Sequence, residues 1–144
     1  MSASDLLAHV RAGLDAVPYA QTLGVEPRLI EGHYHLVLPF SEDNIGNPLL
    51  PALHGGAVGG FLELCAITQL MVDLKVMPGD RVLPKPIGIS VDYLRRGRPE
   101  DTFARARVQR LGARIANVQV SAWQSDPDKI VATLHGNFLL SRRG

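Results

Sequence analysis

The sequence predicts an α+β fold in which a six-stranded antiparallel sheet wraps around one long central helix, with an extra helix at the N-terminus. Three observations carry this expectation. A mostly apolar stretch begins at His54-Gly55-Gly56, is stopped only by Pro78-Gly79, and is long enough for about five or six helical turns. Four segments with two-residue alternation follow it between Arg81 and Arg143, and two strand-like segments precede it. One helix amid six strands is best buried by curling the sheet around it. Such a sheet keeps open edges, and pairing with a second copy of the chain is the expected way of covering them.

From Ser2 to Val17, Leu6, Leu7, Val10 and Leu14 recur at three- and four-residue spacing, with Ser2 or Ser4 as N-cap, so a short amphipathic helix is expected that Pro18 ends. Thr22 to Ile30 and Gly32 to Phe40 read as two strands joined at Glu31-Gly32. Pro27 makes the first an edge strand, and His33, Tyr34 and His35 predict that the second is partly wet. Ser41 to Leu53 holds Asp43-Asn44, Gly46-Asn47-Pro48 and Pro51, too many turn residues for a regular element. After the helix, Ile87, Ile89, Val91 and Tyr93 share one strand face, as do Ala104, Ala106 and Val108, then Ala116, Val118, Val120 and Ala122, then Ile130, Ala132, Leu134 and Phe138.

At 144 residues with 46% hydrophobic and 20% charged side chains, the chain reads as one domain over residues 1–144, with 1–17 as the N-terminal helix. A formal charge of +1 gives no general attraction to nucleic acid or an anionic membrane, so neither is an expected partner. The lone Cys65 excludes an internal disulfide and a multi-thiolate metal site. With no basic, apolar leader at the N-terminus, the cytoplasm is the expected compartment. Glu63, Gln69, Asp73 and Lys75 interrupt the long apolar tract, which therefore reads as a buried helix rather than a membrane span.

The chemistry is expected where the turn-rich loop becomes the long helix, at Leu53-His54-Gly55-Gly56-Ala57-Val58-Gly59-Gly60-Phe61-Leu62-Glu63. A glycine pair at a helix start leaves unpaired N–H groups uncovered by side chains, and the helix dipole favours negative charge there. Such groups suit an oxyanion that develops at a carbonyl. Glu63 has Gly56, Gly59, Gly60, Ala66, Ile67 and Leu70 as its helical neighbours, none of them charged. A carboxylate in such surroundings is costly and needs either a distant partner or a function. The glycines also predict open space beside it. A close packing contact at the glycines and a structural ion pair for Glu63 are the competing readings.

The segment from Asn47 to Glu63, followed by Ile89-Ser90-Val91-Asp92-Tyr93-Leu94-Arg95, Leu111-Gly112-Ala113-Arg114 and Val131-Ala132-Thr133, resembles the hot-dog acyl-CoA thioesterases of the PaaI-like and 4-hydroxybenzoyl-CoA thioesterase group. The resemblance runs from about Tyr19 to Ser141 and rests above all on His-Gly-Gly with an acid nine positions after the histidine. It implies that Glu63 acts on the thioester as nucleophile or general base, and that Gly56, with Gly55 as the other candidate, offers an N–H to the thioester oxygen. Asn47 corresponds, at a different spacing from His54, to a loop asparagine that positions water or the carbonyl. The acid and the glycine of one site are implied to come from opposite subunits of a homodimer, alone or within a homotetramer. Several relatives carry Asp where this chain has Glu63, which reaches one methylene further. Where many have Ser or Thr, this sequence has Lys85-Pro86, and Ser90 could replace that hydroxyl only by facing inward.

Arg95, Arg96 and Arg98 form a basic cluster after a strand, either a solvated turn or a site for the phosphates of CoA, which Arg114 could join. His54, included with the catalytic candidates, lacks an orienting Asp and reads more simply as a loop anchor, while His33, His35 and His135 read as strand-surface residues. The expected reaction is hydrolysis of an acyl-CoA to a free acid and CoA, needing no metal and no other cofactor. A noncatalytic acyl-CoA-binding protein and a hydratase or dehydratase are the rivals; the Gly-His-Phe-Pro signature of acyl-carrier-protein dehydratases is missing.

Overall fold

In a computed structural model that describes residues 2–47, 52–80 and 82–142, the elements follow the expected order, with local differences. Of Asn47, Val82, Leu83, Ser141 and Arg142 only the backbone is described. Helix α1 (Ala3–Asp15) starts from a capping box, Ser2 and Asp5 bonding each other's backbone N–H, and it buries Val10 and Leu14. Pro18 ends that helix but also opens a second one, α2 (Pro18–Leu23), because proline's fixed φ and missing N–H suit the first helical position. The first strand is correspondingly shorter than expected and starts at Glu26 rather than Thr22.

Strands β1 (Glu26–Ile30) and β2 (His33–Leu38) form a hairpin whose two turn residues, Glu31 and Gly32, both have positive φ (51° and 79°), the twist-compatible turn for two-residue hairpins. β2 is drier than its histidines suggested: Tyr34 and His35 are both buried. The Tyr34 hydroxyl is 2.6 Å from Thr68 Oγ1 on the central helix, and His35 meets Trp123 edge-on at 5.5 Å. Within the expected loop, a 3₁₀ turn (Glu42–Asn44) leads into two short paired strands, β3 (Ile45–Asn47) and β4 (Ala52–Leu53). Its Pro48 and Pro51 lie outside the described residues. The central helix α3 (Gly55–Leu74) ends at Lys75, whose φ of 56° closes it just short of Val76.

Strands β5 (Val82–Tyr93), β6 (Thr102–Leu111), β7 (Ile115–Trp123) and β8 (Ile130–Arg142) complete a six-stranded antiparallel sheet in the order β1-β2-β6-β7-β8-β5. The two edges carry prolines, Pro27 in β1 and Pro84 and Pro86 in β5, where a missing N–H costs no sheet bond. The sheet presents Ala104, Ala116, Ala122 and Ala132 inward, all fully buried, and these small side chains let it close on Phe61, Leu62, Cys65, Ala66 and Leu70 of α3. By length and composition alone α3 is apolar enough to cross a membrane; its burial under the sheet accounts for that apolarity. A sheet curled around a long helix is the hot-dog arrangement.

Candidate active site

The loop end and the helix start are fastened to each other residue by residue. His54 N–H donates to Asn44 O (2.6 Å), and Leu53 N–H donates to Gly97 O (2.9 Å) in the segment after β5. His54 is the N-cap of α3, its Nδ1 accepting from Gly56 N–H at 2.9 Å. A side chain at position 56 would come within 2.9 Å of the His54 ring, so the cap requires glycine there. This distinguishes the two candidate donors. The Gly56 N–H, the first candidate from the sequence, is already occupied by the imidazole, whereas the Gly55 N–H has no acceptor among the described residues.

The glycine face of α3 is less open than expected. Tyr93, at the end of β5, donates its hydroxyl to Gly55 O (2.7 Å) and lies over Gly55 and Gly59, while Tyr19 of α2 covers Gly60. Both rings occupy the space that missing side chains leave, and both remain about half exposed. Sequence reading missed Tyr19 altogether, because nothing local marks it: only the fold brings α2 against the middle of α3.

Glu63 lies one turn beyond Gly59 and Gly60 and is half-buried, with neither an ion-pair nor a hydrogen-bond partner among the described residues. Its carboxylate is not sealed in, since no buried side-chain oxygen is left without a partner among the described residues. The helix separates it from Gly55 by eight residues, about 12 Å at 1.5 Å per residue. Asn47 has its backbone paired with Ala52, and its side chain lies outside the described atoms. Ser90 alternates with the inward Ile89 and Val91 and is exposed, so it does not supply the hydroxyl absent at Lys85-Pro86. Cys65 is fully buried and its thiol is pushed up to about 12 by that burial, which removes it as a nucleophile.

Arg95, Arg96 and Arg98 line a cleft of ≈ 330 Å³ together with Lys129, at the sheet end where α3 begins. Lys129 escaped the sequence reading, since it joins the cluster only through the return of β8 alongside β5, where Leu94 and Arg95 N–H both donate to Val131 O. Glu100 and Asp126 share the cleft and offset part of its charge. Arg114 is elsewhere: it lies in the β6–β7 turn at the opposite end of the sheet, about 25 Å away along β7. A larger cleft, ≈ 890 Å³, opens on the outer face of the sheet between His33, Arg105 and Trp123, on the far side of the sheet from Glu63.

The sequence profile of a family described as acyl-CoA thioesterase N-terminal domain matches residues 47–139, well over half of the chain. A crystallised protein from Chromobacterium violaceum is 35% identical, with 96% of this chain and 95% of that one covered and a TM-score of 0.71. Two more distant structures share the fold. A thioesterase family protein from Silicibacter pomeroyi is 18% identical (96% and 99% covered, TM-score 0.76). A Bacillus halodurans protein crystallised with CoA is 21% identical (98% and 94% covered, TM-score 0.74). No curated protein matches the chain.

Proposed function

The chain belongs to the acyl-CoA thioesterase family whose N-terminal domain it matches, and from that premise we propose that it hydrolyses acyl-CoA thioesters at sites shared between two copies. The observation that carries the reading is a half-buried carboxylate, Glu63, without a partner among the described residues, on the glycine-lined face of the family's core helix. In one route Glu63 takes a proton from water as the water oxygen adds to the thioester carbon. The N–H of Gly55 then holds the oxyanion, and collapse expels the CoA thiolate, which receives the proton back from Glu63. In the other route the carboxylate itself adds, the thiolate leaves, and water opens the resulting anhydride.

The 12 Å or so between Gly55 and Glu63 on one helix argues that each site takes its acid from one subunit and its glycine from the other. An antiparallel pairing of two β5 edges, beyond Pro84 and Pro86, suits this: it turns the two central helices head to tail. The same two-fold brings the Arg114 end of one sheet toward the arginine end of its partner, so Arg114 would join Arg95, Arg96, Arg98 and Lys129 on the phosphates of CoA only across the dimer. A CoA-bound relative of the same fold supports that ligand. A dimer, alone or paired into a tetramer, is the working unit, and a chain with one buried thiol fits the reducing cytoplasm.

The test is release of CoA from aromatic, short and long acyl-CoAs by wild type and Glu63→Gln. Turnover by the wild type, with loss of at least about a hundredfold and an unchanged circular dichroism spectrum in the variant, is the expected result. A fully active variant rejects Glu63. Binding of acyl-CoA without turnover by either protein favours a noncatalytic role.

A further inference from the structure

Four of the first six residues of α3 are glycines, Gly55, Gly56, Gly59 and Gly60, each a weak helix former. The turn that offers Gly55 N–H to a ligand therefore has little intrinsic rigidity, and two side chains from outside the helix grip it. Both grip the same peptide unit: its oxygen, Gly55 O, accepts from the Tyr93 hydroxyl at 2.7 Å, and its N–H, that of Gly56, donates to His54 Nδ1 at 2.9 Å. Tyr93 is itself well anchored. Its backbone pairs with Ala132 of β8, and the next two N–H groups donate to Val131 O. The fit is reciprocal, since a Cβ at position 59 would lie 3.1 Å from the Tyr93 hydroxyl, so glycine there leaves the hydroxyl its room.

We propose that Tyr93 is a positioning residue that clamps the Gly55–Gly56 peptide from the end of β5 and thereby holds the Gly55 N–H at the angle an oxyanion requires. The inference rests on the thioesterase reading, and it assigns to the hydroxyl a task distinct from walling the cleft with the ring. A donor held in place before the reaction stabilises charge in the transition state more than it strengthens substrate binding, so loss of the clamp falls on kcat.

The variant Tyr93→Phe keeps the ring and removes the grip. Expected are a kcat lowered about tenfold, a KM for acyl-CoA within about twofold of wild type, and faster amide exchange over residues 53–60 with the rest of the protein unchanged. Gly59→Ala, which crowds the hydroxyl, should lower kcat in the wild-type background and have little further effect beside Tyr93→Phe, so the two changes are non-additive. An unchanged kcat, or a raised KM with kcat intact, overturns the proposal; the latter would make Tyr93 a wall for the substrate. If the wild type hydrolyses no acyl-CoA, the thioesterase reading fails separately, and the exchange experiment still decides: equal protection of residues 53–60 in both proteins removes the clamp.

Discussion

Of two adjacent glycines at the start of α3, Gly56 has its N–H taken by the imidazole of His54, whereas Gly55 N–H has no acceptor among the described residues, which is why Gly55 is the proposed donor. This distinction can be tested without deforming the helix. His54 has φ −62° and ψ 127°, the extended geometry that the residue before a proline adopts, and Gly55 is the first helical residue, where proline is favoured. Gly55→Pro should therefore fold with a melting temperature within about 4 °C of wild type, while the lost donor lowers kcat by about 10²- to 10³-fold. Activity within a few-fold of wild type would return the oxyanion to Gly56 and require the His54 ring to swing away.

At the scale of elements, the placement of α3 in the sheet depends on polar ties as well as on apolar packing. The Tyr34 hydroxyl of β2 is buried, and its phenol is held well above the usual range, first by that burial. It meets Thr68 Oγ1, which in turn lies 2.8 Å from Leu64 O. Thr68 thus relays a buried hydroxyl of the sheet onto a helix carbonyl. Thr68→Val keeps the shape but strands the Tyr34 hydroxyl, and should cost about 1–3 kcal/mol in a urea titration. Tyr34→Phe combined with Thr68→Val should recover part of that loss, because no polar group is then left unpaired; equal losses in the single and double variants would show that packing alone matters here. The edge at β5 is the complementary case. Its prolines limit where another strand can add, and its half-buried Ile89 and Val91 leave a face that the proposed second copy would close.

For the whole molecule, the proposal that each site is shared between two copies has a direct consequence. Glu63→Gln and Gly55→Pro chains damage opposite halves of each site, so mixing the two inactive proteins after unfolding and refolding together should restore about a quarter of wild-type activity through mixed dimers with one intact site. No recovery, with mixed dimers shown to form, would place both groups in one chain. Stability against pH has a separate origin. His35 is 7% exposed, and burial first, then the positive charges of Arg105 and His33, hold its pKa below the ordinary 6.5. As pH falls below about 6.5 the unfolded chain binds a proton that the folded one refuses, so stability declines with acidity until the folded value is passed, and is unaffected by His35 at higher pH. Urea midpoints between pH 7.5 and 5 should fall less for His35→Gln than for wild type; parallel curves would remove His35 as a source of acid lability.

Periodicity, caps and turns act between residues a few positions apart, and so the amino-acid sequence by itself determined the order of the long elements, the Glu31-Gly32 hairpin, the inward faces of β6 and β7 and the long helix with Glu63 on its glycine-lined side; Ile87, expected on the inward face of β5, is instead exposed at a bulge between Pro86 and Gly88 that breaks the alternation. Even the proline that ended one helix and began another was marked locally, though read only as a stop. Groups that must meet in space from distant parts of the chain obey no such rule. Tyr93 over Gly55, Tyr19 over Gly60, Lys129 beside Arg95 and the separation of Arg114 from them follow from strand order, register and the curl of the sheet. Those are set by how the faces pack, and only the tertiary structure decided them.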